Sequence, residues 1–132
     1  MTTLPLELTL LGWSVVLLVV AVMVQGQLAT RELGVGWNAG PRDGDRRPQG
    51  VMAGRAQRAL DNFKETYPAF IALALALAVS GRTGGLGAAG ALLWFAARII
   101  YHPLYLFGVP YLRSLTWVVA MFGLLLMLIR LL

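Results

Sequence analysis

Residues 12–24, GWSVVLLVVAVMV, carry no ionisable side chain and lie inside an apolar block that begins near Leu6. About 20 residues of helix at ~1.5 Å each cross a hydrocarbon layer of ~30 Å. In lipid, only a segment that satisfies its own backbone hydrogen bonds is tolerated, and for a single run that means a helix. Further blocks of the same kind follow over residues 86–107 and 110–132, and another apolar run, AFIALALALAV, occupies residues 69–79. Apolar residues make up 58% of a 132-residue chain, and the excess is gathered into these blocks. The expectation is one all-α integral membrane domain over residues 1–132, a four-transmembrane-helix bundle with spans at 6–28, 52–80, 86–107 and 110–132. The N-terminal run lacks a basic leader and is too long for a signal-peptide core, so it is expected to stay attached as the first span.

The polar loop 29–51 contains GVGWNAGPRDGDRRPQG, dense in Gly, Pro, Asp and Arg. Such residues favour turns outside the bilayer, and Asp45, Arg46 and Arg47 are read as a solvated connector. Within the second span Pro68 removes the amide that would bond the Lys64 carbonyl, and Pro103 does the same for Ile99 in the third. Both are expected to bend their helices. Gly81, Gly84 and Gly85 mark a turn before the third span, and Pro110 is placed to start the fourth.

The net charge of +5 comes from eleven Arg and Lys against six acids. These arginines flank hydrophobic blocks and form no DNA-binding motif, so no nucleic-acid partner is expected. Without cysteine there is no disulfide, no cysteine nucleophile and no thiolate metal ligand, and His102 alone makes no metal cluster. Nine cations, Arg31, Arg42, Arg46, Arg47, Arg55, Arg58, Lys64, Arg98 and Arg113, fall toward one membrane face, against Arg82 and Arg130 toward the other. The positive-inside rule then places the first and third loops in the cytoplasm and both termini on the opposite side.

Two polar stripes converge on that basic face. Arg55, Arg58, Asn62 and Glu65 fall within an arc of about 80° on one helix. Arg98, Tyr101 and Tyr105 share a face of the next span, and Arg113, Ser114 and Trp117 occupy the first two turns of the last. Charged groups at membrane depth are costly unless they pair or face a protein interior or wet cavity, which makes the stripes a candidate site. Plainer readings exist for each. Arg55 suits a membrane-surface anchor, Tyr101 and Tyr105 an interfacial belt, Ser114 a helix cap, and Glu65 a structural partner of Arg58 or Arg98. His102 is read as a surface residue, and Trp94 and Phe95 as lipid-facing or packed.

The pattern RAxRAxxNxxExxP over residues 55–68, then ARxxYxxxY over 97–105 and PxxRS over 110–114, resembles the MAPEG family. Those are membrane-associated proteins of eicosanoid and glutathione metabolism, and the likeness spans nearly the whole chain. It implies a homotrimer of four-helix bundles with glutathione held between neighbouring subunits at the cytoplasmic end. By motif position, Arg58, Asn62, Glu65, Arg98, Tyr101 and Tyr105 would hold glutathione. Arg31 and Gln27 resemble first-helix contributors. Arg113, with Ser114 beside it, matches the arginine that stabilises the glutathione thiolate. Tyr101 stands where the prostaglandin synthase of the family has His, and Trp117 where some members carry Tyr.

Two carboxylates and one ammonium on glutathione call for several cations and an anion, which these residues supply. A thiol of pKa ~8.5 is mostly protonated at neutral pH, and a guanidinium at a helix N-terminus favours its thiolate. The expected activity is thiolate attack on a hydrophobic or lipid electrophile arriving from the bilayer, by a transferase or peroxidase. A non-catalytic lipid-binding scaffold of the same family is the alternative.

Overall fold

The computed structural model describes residues 3–44 and 46–132, so Asp45 lies outside the described residues. Five helices follow in order: α1 (Leu6–Leu33), α2 (Val35–Ala39), α3 (Val51–Val79), α4 (Leu86–Leu106) and α5 (Pro110–Leu131). No strand occurs among the described residues. Two of the helices, α1 and α5, are long and apolar enough to cross a membrane. In α3 the charges crowd the N-terminal half, and α4 carries Arg98 and His102 in its C-terminal half.

The first helix runs five residues beyond the expected 28, because Leu, Ala, Arg and Glu in LATREL all sustain helix. It stops at Gly34, whose φ of 94° belongs to the left-handed side and whose N–H bonds back to the Thr30 carbonyl. The first loop is also more ordered than a solvated connector. It forms α2, and Asn38 Nδ2 donates to Thr30 Oγ1 at 2.6 Å, tying α2 to α1. Arg42 Nε and Nη2 donate to the Asn38 carbonyl at 3.2 and 3.1 Å, and Gln49 N–H donates to Glu32 Oε2 at 2.5 Å. Arg46 donates to the Leu33 carbonyl, so Arg46 is part of this fastening.

The core lies among α1, α3, α4 and α5. Phe63, Tyr67, Phe70, Ala74 and Leu77 of α3 pack on Ala91, Trp94 and Ala97 of α4, with Leu10, Ala120 and Met127 completing it. Trp94 is packed, not lipid-facing: its ring stacks on Phe70 at 3.9 Å between centroids and lies near-parallel to Tyr67 at 5.9 Å. Ser14 Oγ donates to the Leu11 carbonyl at 2.5 Å and lies 2.8 Å from Tyr67 Oη. A hydroxyl has one proton, so Tyr67 is the donor in that second bond, which stitches α1 to α3.

α4 and α5 cross backbone to backbone. A methyl group on Gly123 would sit 2.6 Å from the Gly90 carbonyl oxygen and 2.8 Å from Trp94 N. Close approach of this kind is how helices gain packing energy in lipid, where the hydrophobic effect between them is absent. At the far end, Glu7 is fully buried and its Oε2 accepts from Gly84 N–H at 2.8 Å. Arg130 Nε donates to the Arg82 carbonyl at 2.9 Å, and Arg82 Nη1 to the Leu131 carbonyl at 2.5 Å. The two cations counted on this side therefore close the α3–α4 turn onto the end of α5.

The outer surfaces of α1 and α5 are apolar. Val15, Val16, Val19, Val20 and Met23 on one helix, and Leu115, Val118, Phe122, Leu125 and Ile129 on the other, are exposed. Continuous apolar surface of this extent is what lipid, and not water, tolerates.

Candidate functional site

α3, α4 and the start of α5 bring side chains together at the end of the bundle that carries the first loop. Pro110 opens α5 as its first residue, which puts Arg113 and Ser114 in the first two turns. Asn62, Tyr101, Arg113, Ser114, Trp117 and Val118 line one cavity of about 390 Å³. A second, of about 220 Å³, is lined by Arg55, Arg58, Tyr105, Gly108, Pro110 and Arg113. Arg113 belongs to both, so the two adjoin. Its guanidinium carbon stands 4.7 Å from the centre of the Tyr105 ring, and that of Arg58 stands 6.0 Å from the same ring.

Arg98 is fully buried. Its Nη1 donates to Asn62 Oδ1 at 2.9 Å, and its guanidinium carbon lies 4.5 Å from the Tyr101 ring centre and 5.4 Å from that of Phe63. Aromatic faces are tolerable neighbours for a cation, yet Arg98 Nε and Nη2 have no hydrogen-bond acceptor among the described residues. Buried donors in that condition cost free energy and mark a place where an acceptor-rich group fits.

Of the residues singled out by sequence, the fold gathers Arg58, Asn62, Tyr101, Tyr105, Arg113 and Ser114 around these two cavities, with Arg98 buried behind Asn62. Within one chain it leaves three outside. Glu65 is exposed on α3, and Arg31 is exposed beside a different cleft with Leu28, Glu32 and Val51. Gln27 is likewise exposed.

Three residues take places that the sequence reading did not give them. Arg55 does not reach out as a surface anchor. Its Nη1 donates to the Leu106 carbonyl at 3.3 Å, and its guanidinium fills the space beside Gly108, whose φ of 72° makes the α4–α5 turn. His102 is not a surface residue: it is 7% exposed, and neither ring nitrogen has a partner among the described residues. Its position one turn after Arg98 on α4 was the available signal. Thr66 Oγ1, one turn after Asn62, is buried and unpartnered as well.

These features define an all-helical integral membrane protein with an arginine-rich, hydroxyl-bearing cavity at one end. The chain belongs to the MAPEG family, whose model matches residues 10–132. No curated protein and no solved structure gives a match.

Proposed function

We propose that this chain is a membrane-bound, glutathione-dependent transferase acting on hydrophobic electrophiles. The observation that carries the reading is the meeting of Asn62, Tyr101, Arg113 and Ser114, from three helices, in one cavity above the buried Arg98. The donors suit the ligand. Arg98 Nε and Nη2 still need acceptors, and Arg58 and Arg113 add two further cations for a molecule with two carboxylates. Asn62 and Tyr101 offer neutral hydrogen bonds in the same wall.

When bound, glutathione would supply the sulfur nucleophile, whose thiolate forms a carbon–sulfur bond while the leaving group departs with the bonding electron pair. Arg113 contributes a fixed positive charge in the first turn of α5, where the helix N-terminus adds its own partial charge. Ser114 lines the same cavity and offers a hydroxyl donor. Trp117 and Val118, exposed on α5, continue that wall into the apolar outer surface, the direction from which a hydrophobic substrate would arrive.

The reading includes four membrane spans and a homotrimer, with the site end cytoplasmic. In support, Glu65, Ala69 and Ala72 form a face of α3 left exposed among the described residues, and Arg31 is exposed on α1. A neighbouring subunit packed there would bring an Arg31 toward the cavity and let Glu65 meet the glutathione ammonium.

The test is calorimetric binding of glutathione to the purified protein, followed by conjugation of a chloronitrobenzene-type substrate. Binding with turnover supports the enzyme. Absence of binding by the intact oligomer removes it. Binding without turnover, unchanged in Arg113→Ala, assigns the chain to the lipid-binding scaffolds.

A further inference from the structure

A separate cavity of about 460 Å³ lies where α1 and α3 meet the first loop. Its polar lining comes from Gln25 of α1, Trp37 of α2, Arg42 and Arg47 of the loop, and Gln57 and Arg58 of α3. Only Arg58 is shared with the cavities around Arg113. Among the described residues no carboxylate lines it, so three arginines, two from the loop and one from α3, border one space with no counter-charge from those residues.

The wall is held in place. Arg42 is fastened to the Asn38 side chain and carbonyl, Asn38 to Thr30, and the Arg42 guanidinium lies 4.8 Å from the Trp37 ring centre. Trp37 Nε1 is shut off from solvent and has no acceptor among the described residues. Two independent observations thus ask for the same thing. Converging like charges repel, and a buried N–H without a partner is costly; an anion with several oxygens relieves both.

The geometry points to a second anion site here, one that takes a phosphate group. Several acceptor oxygens on one anionic phosphorus centre match guanidinium forks, an indole N–H and two carboxamides better than a lone carboxylate does. The cavity borders Gln25, just past the apolar run of α1, where a membrane-spanning α1 would meet lipid headgroups. The phosphate is therefore either soluble or carried by an anionic lipid. The site does not depend on the glutathione reading.

The test uses the full chain in neutral detergent, titrated with inorganic phosphate at constant ionic strength while tryptophan emission is followed. A Trp37→Phe variant isolates the signal of Trp37. In parallel, thermal midpoints are measured in phosphatidylcholine nanodiscs with and without phosphatidylglycerol. Arg47→Glu is the principal variant, because its side chain makes no hydrogen bond among the described residues, and Arg42→Gln is the second.

A saturable Trp37 response to phosphate, weakened roughly tenfold or more in Arg47→Glu while calorimetric glutathione binding is unchanged, supports a soluble ligand. A stabilisation seen only with phosphatidylglycerol and lost in Arg47→Glu supports a lipid headgroup in the same site. No response to either probe, or equal responses in wild type and both variants, overturns the proposal. Parallel loss of phosphate and glutathione binding also overturns it, since the two cavities would then be one site.

Discussion

Arg98 of α4 and Asn62 of α3 are joined by a 2.9 Å hydrogen bond in which the guanidinium Nη1 donates to the amide oxygen. It is the one hydrogen bond that Arg98 makes among the described residues, and it orients a fully buried cation against the floor of the cavity. Both residues recurred in the sequence as members of separate helical stripes. The bond shows how the stripes are locked to each other.

Asn62→Ala should therefore cost more than one ordinary hydrogen bond. It leaves Nη1 as orphaned as Nε and Nη2, a loss of about 1–3 kcal/mol. Asn62→Asp keeps an oxygen in place and adds a counter-charge, so its stability should stay close to wild type. Thermal unfolding of both variants in one detergent decides it. Equal midpoints for the two would mean that the bond carries no weight.

The α4–α5 crossing gives a sharper test of packing. In Gly123→Ala the new methyl group meets the backbone of Gly90 and Trp94 at 2.6–2.8 Å, so the helices must part. Overpacking against backbone costs at least ~1–3 kcal/mol, and the α4–α5 pairing should loosen. Gly12→Ala on α1 has no neighbour within 4 Å and should be neutral, or stabilising by up to ~1 kcal/mol through helix propensity. Unfolding midpoints of the pair give the contrast, and a wild-type-like Gly123→Ala protein would contradict the close crossing.

Much of this was readable in advance, and for a physical reason. Helical periodicity fixes which side chains share a face, so Arg58 with Asn62, and Arg98 with Tyr101 and Tyr105, were placed from spacing alone. Charge asymmetry put Arg82 and Arg130 together, and they do meet at the α3–α4 turn. What stayed hidden depends on which helices touch. The Gly90–Gly123 approach needs the α4–α5 pairing, and the Glu7–Gly84 bond links residues 77 apart in the chain. Neither leaves a local pattern. The first loop, whose Arg46 and Arg47 are exposed as a solvated connector would have them, hid its fastening for a different reason. Its Gly and Pro residues signal turns correctly, but nothing in them announces that Asn38 fastens α2 onto α1 or that Arg42 bonds back to Asn38.

The Ser14–Tyr67 pair should respond unequally to its two deletions. Tyr67→Phe removes one bond but leaves Ser14 donating to the Leu11 carbonyl, for a loss of about 0.5–1.5 kcal/mol. Ser14→Ala strands the Tyr67 hydroxyl beside Trp94 and Phe63 with no acceptor, and should cost more, up to ~3 kcal/mol. The double variant should recover part of the Ser14→Ala loss, because an apolar pair leaves nothing unsatisfied. A thermal double-mutant cycle measures this, and additive losses would refute the coupling.

Arg58 and Arg113 stand over the same Tyr105 ring, yet they should fail in different ways. Arg58 comes from α3, lines only the outer of the two adjoining cavities, and is proposed to grip a carboxylate of glutathione in ground state and transition state alike. Arg58→Ala should then raise the KM for glutathione by about 10- to 100-fold, the equivalent of one charge-assisted hydrogen bond, with kcat little changed. Arg113 lines both cavities and sits in the first turn of α5, where its charge is proposed to act on the developing thiolate. Arg113→Ala should lower kcat by a similar factor, and its activity should recover as pH rises toward the free thiol's own ionisation. The sign follows from the chemistry: with the cation gone, the thiolate forms only at higher pH. Steady-state kinetics across pH 6 to 9 separate the two variants, and an Arg113→Ala profile parallel to wild type would show that Arg113 only positions the ligand.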